Sequence, residues 1–451
     1  MKNLLFYCCL GALFFQSCNA PTPNTTTSDL VRFADSLFQT SVDSAFIAGA
    51  AVIVHQNGKT LLDKSYGYAS LELEVPTPLH ANFEIGSVTK QFTGAAILKL
   101  EEMGKLSLED DFTKYLDFDT KGRKVTINQL LDHTSGIASY TEVPTFWPLS
   151  YHTYPRDTML RIIEEEAFLF EPGEAVIYNN TAFFFLGLII EELSDTTYEA
   201  FLKEHIFDPL DMQDTYYCSN SKVVKNKVSG YGYSPKGLQQ AAYLDHTWPY
   251  AAGSLCSTTP DLLKWLQANH KDKWPNEGQY QKLITPGSLN DGTPINYAKG
   301  IGNWVDNGHP IISHGGGING FLTETRYYPE SDLYVITLVN TTGPKGAGFF
   351  ADQLTWEVLE KEAFPKEELD IPLAGLEGTY TGQVRGRMHS IEIGTLADGI
   401  TMLNQGAQSP DTLTHYAGAS SWRDGNNVIT LQENEMRVRQ GYGAYYILKK
   451  E

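Results

Sequence analysis

Residues 83–104 read FEIGSVTKQFTGAAILKLEEMG, a stretch that predicts a helix with a candidate nucleophile at its start. Apolar residues recur through the body of the stretch, and Gly104 is a typical helix stop. Ser87, at the helix start, would have its hydroxyl near unpaired backbone N–H groups and the positive end of the helix dipole. The stretch therefore indicates a serine held where a developing negative charge is favoured.

Lys90 follows Ser87 by three residues, which places both side chains on one face of the helix, about one turn apart. A lysine is ordinarily protonated, but burial would let it lose its proton and take one from the serine hydroxyl. The alternative is a helix-capping serine followed by a surface lysine. The pattern alone does not decide between the two, since Ser219 and Lys222 repeat it.

The motif Tyr178-Asn179-Asn180 precedes a strongly apolar predicted helix. We expect a neighbouring lysine to lower the pKa of Tyr178 enough for this side chain to serve as a general base. The amide of Asn180 would orient both Lys90 and a substrate carbonyl. The alternative is a core tyrosine followed by a helix-capping asparagine.

The motif HGGG at residues 314–317 follows a predicted strand. His314 and Gly316 would contact substrate there, because glycines let a substrate backbone lie against the strand. The backbone N–H of Gly317, together with that of Ser87, would form an oxyanion hole. The alternative is a glycine-rich turn after the strand.

In this order, Ser-x-x-Lys, Tyr-x-Asn and His-x-Gly resemble the three signatures of the class C β-lactamase-like serine hydrolases, a group that includes penicillin-binding proteins, D-aminopeptidases and esterases. The sequences LLDHTSG at residues 130–136 and AAGSL at residues 251–255 resemble further family hallmarks. The resemblance covers about residues 30 to 360.

The resemblance implies a mechanism without a cofactor. Ser87 attacks a carbonyl and forms an acyl-enzyme, Lys90 and Tyr178 share the proton transfers, and Asn180 positions them. Water then releases the acyl group. His133 shapes a turn near the site and is given no catalytic role.

His314 departs from the family pattern, because the third motif of many β-lactamases begins with lysine. A histidine is mostly neutral at pH 7 and offers no permanent cation to a substrate carboxylate. We therefore predict slow or absent β-lactam turnover and expect small-molecule or short-peptide substrates, namely small D-residue peptides, amides or esters. The alternative is an acylatable sensor or scaffold protein that does not turn over.

The remaining patterns predict an α/β fold of the α+β type, with a central antiparallel sheet flanked by helices, an inserted mostly helical region and a small C-terminal all-β domain. The predicted elements outside the motifs are a helix at 30–38, strands at 48–55 and 60–67, helices at 125–131, 181–193 and 261–269, strands at 311–313, 321–328 and 333–339, and a helix at 346–361. Short alternating strands follow from residue 375, at 378–384, 390–393, 400–403, 428–432 and 445–448.

These patterns divide the chain into a hydrolase-like domain at residues 30–363, a linker at 364–374 and an antiparallel β-barrel or sandwich at 375–451. The sequence leaves open whether the protein forms an oligomer through its C-terminal domain. Loop aromatics, among them Trp147, Tyr151, Tyr154, Tyr243 and Trp248, either line the cleft or pack within the loops.

Residues 1–18 are typical of a bacterial lipoprotein signal peptide, in which Cys18 is lipidated after cleavage; ordinary cleavage nearby is the alternative. Residues 19–29 then form a flexible tether. We expect an exported, periplasmic protein anchored to a bacterial membrane by lipid. Cys218 and Cys256 would be able to pair in that compartment, but the sequence leaves their pairing open.

The formal charge of −20 makes nucleic acid an unsuitable partner, because a phosphate backbone requires a cationic surface. No Cys-x-x-Cys or His-Glu-x-x-His pattern occurs, so we expect no metal. Gly315, Gly317 and Gly320 match a dinucleotide-binding spacing, yet the residues after them alternate like a strand, which argues against a nucleotide site.

Overall fold

The computed structural model describes residues 27–219, 221–306, 308–359, 373, 375–384, 387–396, 399–415, 421–424, 427–432 and 434–451. The α-helices of this part are α1 (Thr27–Asp43), α2 (Thr89–Glu102), α3 (Ile127–Leu131), α4 (Phe146–Leu149), α5 (Asp157–Glu164), α6 (Asn180–Ser194), α7 (Tyr198–Leu202), α8 (Tyr250–Gly253), α9 (Thr259–His270), α10 (Glu277–Ile284) and α11 (Ala347–Val358).

The strands before the C-terminal region are β1 (Gly49–Gln56), β2 (Lys59–Ser70), β3 (Val75–Pro76), β4 (Phe83–Glu84), β5 (Val176–Ile177), β6 (Tyr216–Tyr217), β7 (Tyr231–Ser234), β8 (Gly237–Gln240), β9 (Leu255–Ser257), β10 (Gly302–Asp306), β11 (His309–Ile318), β12 (Phe321–Tyr328), β13 (Leu333–Val339) and β14 (Thr341–Thr342). The C-terminal strands are β15 (Gly378–Val384), β16 (Arg387–Thr395), β17 (Ile400–Asn404), β18 (Asp411–His415), β19 (Ser421–Asp424), β20 (Asn427–Gln432), β21 (Glu435–Gln440) and β22 (Ala444–Lys450).

The predicted α+β architecture is confirmed. A seven-stranded antiparallel sheet runs in the order β10-β11-β12-β13-β1-β2-β3, so strands from both ends of the hydrolase-like region meet at its centre. All residues of β13, and all but the last of β1, are buried. Both strands are nearly continuous apolar runs, interrupted by His55 and Gln56 in β1 and by Thr337 in β13, as expected for strands with both sheet faces covered.

Helices α1 and α11 cover one face of this sheet and α2 and α9 pack toward the other. Phe38 of α1 lies between Tyr66 of β2 and Phe350 of α11, with ring centroids 4.6 and 4.4 Å away. The stacked rings join the first and last helices of the hydrolase-like region to the sheet. The mostly helical segment lies between α2 and β9 in the chain. Its helices α6 and α8 both pack against α2.

Strand β11 is longer than predicted, because residues 314–317 continue it rather than forming a turn. Pairing with β10 ends at Ser313, so beyond that point β11 has a strand neighbour, β12, on one side and an open edge on the other. The β11–β12 hairpin also excludes the helix that a dinucleotide-binding loop would open.

Strands β15 to β22 form a nearly closed antiparallel barrel, in which β22 returns to pair with β15 at Tyr380 and Thr381. Strand β5, from the hydrolase-like region, pairs with the other end of the same β22 edge at Ala444 and Tyr445. Ile177 of β5 is part of the barrel's apolar core. The barrel thus receives its ninth strand from the segment that leads directly to Tyr178.

The structure does not test the N-terminal predictions, because the signal peptide, Cys18 and most of the tether lie outside the described residues. Most of the predicted linker also lies outside them. No helix in the described part is long and apolar enough to cross a membrane.

Candidate active site

Ser87 lies in a single 3-10 turn, Gly86–Val88, between β4 and α2. Strand β4 pairs with β9, which anchors the chain just before the turn. Gly86 has φ +50°, a conformation that glycine adopts without strain. Ser87 lines a cavity of about 1090 Å³ that extends from this turn to the C-terminal barrel.

Lys90 is completely buried, and its Nζ lies 3.1 Å from Ser87 Oγ, 2.8 Å from Asn180 Oδ1 and 2.7 Å from the carbonyl oxygen of Ala252. Burial lowers the pKa of Lys90 well below its ordinary value. A neutral amine has two N–H donors and one lone pair. The two carbonyl oxygens can only accept, so in the neutral amine they take both donors and the lone pair is left for the Ser87 hydroxyl, whereas a protonated amine would donate its third N–H to Ser87 Oγ.

Tyr178 stands between β5 and α6, and its ring centroid is 4.8 Å from Lys90 Nζ. Its buried hydroxyl makes no hydrogen bond within the described residues. We expected Lys90 to lower the pKa of Tyr178, but burial, reinforced by Tyr442, raises it well above 10, while the nearby Ser87 hydroxyl opposes this shift. The side chain is therefore a protonated phenol in the free protein, suited to donate a proton rather than to accept one.

Asn180 is the first residue of α6 and donates from Nδ2 to Thr141, which leaves its Oδ1 for Lys90. Asn179 caps the helix by accepting the N–H of Ala182, so the capping alternative applies to Asn179 and not to its neighbour. His133 Nδ1 accepts the N–H of Asn179, and its ring lies 4.4 Å from that of Tyr178. His133 therefore supports the backbone of this motif.

The N–H groups of Ser87 and Gly317 belong to two backbone segments in direct contact. A Cβ on Gly86 would lie 2.8 Å from Gly317 N, and one on Gly316 would lie 2.1 Å from the carbonyl oxygen of Ile85. Gly316 is thus required for β11 to approach the Ser87 turn. This packing accounts for the glycine, and its predicted substrate contact stays a prediction.

His314 is buried beside the site, and its two ring nitrogens are both engaged. Nδ1 is 2.6 Å from the carbonyl oxygen of Gly315, which can only accept, so Nδ1 carries the proton and Nε2 accepts from the Tyr297 hydroxyl at 2.8 Å. Burial, reinforced by Lys90, lowers the pKa of His314 to about 3. The third motif therefore presents a neutral ring at pH 7.

The C-terminal barrel reaches this site through the turn at residues 441–443, which no sequence pattern had indicated. Gly443 O accepts the N–H of Tyr178 at 2.9 Å, and the Tyr442 hydroxyl accepts the N–H of Gly315 at 3.1 Å. An aromatic residue between two glycines was the only signal in the sequence, and it does not indicate which site the hairpin meets. Tyr297 was also missed, because no local sequence pattern indicates that it meets His314.

Cys218 and Cys256 form a disulfide with Cα atoms 5.3 Å apart. The sequence alone did not decide whether these two residues pair. The bond links β9 to the residue after β6, in the small sheet that also holds β4 before Ser87. In the second Ser-x-x-Lys pattern, Ser219 is half-buried and Lys222 is exposed, and neither residue lies in a helix or strand. No group of three His, Cys, Asp or Glu residues suited to a metal occurs in the described ranges.

The five loop aromatics lie in different surroundings, and none of them lines the cavity that contains Ser87. Trp147 and Tyr151 are exposed and line a groove of about 480 Å³ that begins at Gly317. Trp248 and Tyr154 pack against each other with ring centroids 5.6 Å apart.

Residues 34–360 match the family model described as Beta-lactamase. Penicillin-binding protein 4* of Bacillus subtilis (strain 168) is 30% identical over 329 residues, which are 68% of this chain and 71% of that protein. Protein flp of Staphylococcus aureus (strain MRSA252) is 27% identical over 323 residues, 70% of this chain. The chain spans only 64% of the length of that relative.

Among solved structures, the octameric penicillin-binding protein homologue from Pyrococcus abyssi has a TM-score of 0.64 at 24% identity and covers 93% of this chain and 100% of its own. D-amino acid amidase from Ochrobactrum anthropi SV3, complexed with D-phenylalanine, has a TM-score of 0.63 at 20% identity, with 74% of this chain and 98% of its own covered. At these identities the two likenesses show the fold.

Proposed function

The chain belongs to the β-lactamase family, and we propose that it is a serine hydrolase that cleaves amide or ester bonds through an acyl-enzyme on Ser87. The observation that carries this proposal is the hydrogen bonding of Lys90. A buried amine with both donors occupied by carbonyl oxygens has its lone pair free for the Ser87 proton.

The proposed reaction begins when Ser87 Oγ attacks a substrate carbonyl and its proton passes to Lys90 Nζ. The oxyanion accepts hydrogen bonds from the N–H groups of Ser87 and Gly317. Tyr178 donates its phenolic proton to the leaving nitrogen or oxygen and recovers a proton from Lys90. A water molecule then attacks the acyl carbon by the reverse sequence of proton transfers, which frees Ser87.

We propose small D-residue peptides, amides or esters as substrates in place of β-lactams. The neutral His314, with both nitrogens engaged, supports this proposal because it offers no cation to a β-lactam carboxylate. The D-amino acid amidase that shares this fold, and that was solved with D-phenylalanine bound, points to the same substrate class.

Export to the periplasm with a lipid anchor at Cys18 remains part of the proposal. The Cys218–Cys256 disulfide supports it, since such bonds persist in oxidising compartments.

The experiment is a comparison of D- and L-aminoacyl p-nitroanilides, p-nitrophenyl esters and nitrocefin on the wild type and Ser87→Ala. We expect Ser87-dependent turnover of esters and D-aminoacyl anilides, with little nitrocefin hydrolysis. Nitrocefin turnover at a rate typical of resistance enzymes would refute the substrate assignment. A stoichiometric Ser87 adduct without product release would favour a sensor over an enzyme.

A further inference from the structure

The open edge of β11 presents outward N–H groups at every second residue, as a strand edge does. Ser313 is paired with Gly302 of β10, where that strand begins. The next outward N–H belongs to Gly315, and the one after it to Gly317, beside the Ser87 turn. A substrate backbone that paired with this edge from the oxyanion position would therefore meet Gly315 next.

That N–H is already occupied, because Gly315 donates to the Tyr442 hydroxyl at 3.1 Å. The ring of Tyr442 is held in place by neighbours, with centroids 5.1 Å from Trp304 and 5.3 Å from His314. Gly302 makes room for it, since a Cβ there would lie 2.7 Å from the Tyr442 ring. The hydroxyl is therefore a fixed acceptor in the position that a substrate carbonyl would take.

The hairpin that carries Tyr442 is itself short and tied at both ends. Gln440 pairs with Ala444, and the N–H of Gly443 donates to the Gln440 carbonyl at 3.0 Å. Gly443 also accepts the N–H of Tyr178. Displacing Tyr442 would therefore disturb the backbone of Tyr178 as well, which makes the hairpin a costly obstacle for a substrate to push aside.

We propose that Tyr442 is a specificity-determining residue which the C-terminal barrel supplies to the hydrolase, and that it restricts substrates to those with no extended chain on the Gly315 side of the scissile bond. This inference rests on the proposed function of Ser87. The cavity of about 1090 Å³ that Ser87 lines also borders Gly315 and Tyr442, so the tyrosine occupies the strand edge inside that cavity. A separate groove, lined by Gly317 and by the exposed rings of Trp147 and Tyr151, has no barrel residue in its lining, and longer substrate groups belong on that side.

The test uses full-length protein and three substrates: a D-alanyl p-nitroanilide, its analogue lengthened by two residues before D-alanine, and a D-alanyl peptide lengthened by two residues after the scissile bond. The readouts are kcat/KM and formation of the Ser87 adduct by intact mass, so slow deacylation does not hide acylation. We expect the wild type to accept one of the two lengthened substrates and to disfavour the other, whose extra residues would lie on the Gly315 side.

Tyr442→Phe removes the acceptor and keeps the ring, and we expect it to raise the kcat/KM ratio of the disfavoured long substrate to the short one about fivefold, the size of one hydrogen bond. Tyr442→Ala should raise the ratio further. Tyr446→Phe is the matched control, because its hydroxyl bonds Gln440 on the same hairpin, and it should leave the ratio unchanged.

An unchanged ratio in both Tyr442 variants would overturn the inference and leave the proposed function standing. A uniform loss of activity on all three substrates would also overturn it, because it would indicate a purely structural role. Turnover and adduct formation that persist in Ser87→Ala would instead overturn the proposed function, and this inference with it.

Discussion

Lys90 combines complete burial with three hydrogen-bond partners, and this combination determines how the site responds to pH. Burial lowers its pKa well below 10.5, and only the neutral amine accepts the Ser87 proton. We therefore predict that kcat/KM rises with pH through the lowered pKa of Lys90 and reaches a plateau below pH 10. The measurement is a pH–rate profile with a non-ionisable ester.

Lys90→Arg replaces the titratable amine with a permanent cation and should lower the plateau by about 10²- to 10⁴-fold, the usual contribution of a general base. Lys99→Arg, on the same helix and paired with Glu102 at the surface, is the control. A profile that still climbs above pH 10, or an active Lys90→Arg, would contradict the assignment.

Tyr178 is a phenol whose pKa is raised by burial, so we assign it the proton that the leaving group takes. Tyr178→Phe should lower kcat/KM about 10²- to 10⁴-fold for a D-aminoacyl amide, whose nitrogen must be protonated to leave. The loss should be much smaller for a p-nitrophenyl ester, whose phenolate leaves unaided. Equal losses on both substrates would speak for a base or a purely structural role.

The sequence was sufficient to predict which residues of a motif lie side by side. It was not sufficient to predict their protonation states. The three-residue spacing from the 3-10 turn into α2 places Lys90 beside Ser87, because helix geometry is local. The raised pKa of Tyr178 depends on burial by segments far apart in the chain. Tyr297 and Tyr442 meet His314 only through tertiary packing, so no local pattern marks them.

At the scale of elements, the Cys218–Cys256 disulfide closes a segment of 38 residues around the small sheet that holds β4. Replacing both cysteines by alanine should lower the free energy of unfolding by about 2–5 kcal/mol, since the unfolded chain gains freedom. Urea titration of the variant and of the reduced wild type measures this. Lys90 hydrogen-bonds Ser87, Asn180 and Ala252 rather than either cysteine, so kcat/KM of the folded variant should stay near that of the wild type. A large fall would contradict this separation.

The bounds of the long helices and strands were predictable from their apolar patterns, whereas several short strands were not predicted. Strands β12 and β13 occupy the predicted residues, and β1 and α6 differ from prediction by a residue or two. Strand β5 has two residues, too few to show a period, and its pairing with β22 is set by the approach of two distant segments. Strands β18, β19 and β21 were missed because they are short and largely polar.

At the scale of the whole molecule, the barrel is part of the candidate active site. It supplies the acceptors for the N–H groups of Tyr178 and Gly315 and buries Ile177 in its core. A chain that ends at residue 363 should therefore lose about 100-fold in kcat/KM, because small displacements of catalytic groups are costly. Residues 27–451 serve as the control, and a folded truncated chain with undiminished activity would refute this prediction.

The central claim, that Ser87 becomes acylated, is tested most directly by rapid quenching of the protein with a p-nitrophenyl acyl ester, followed by intact-mass measurement and peptide mapping. We predict one added acyl group, on the peptide that contains Ser87, and none on Ser87→Ala. Product release from Ser87→Ala at the wild-type rate, or an acyl group on any other residue, would contradict the account.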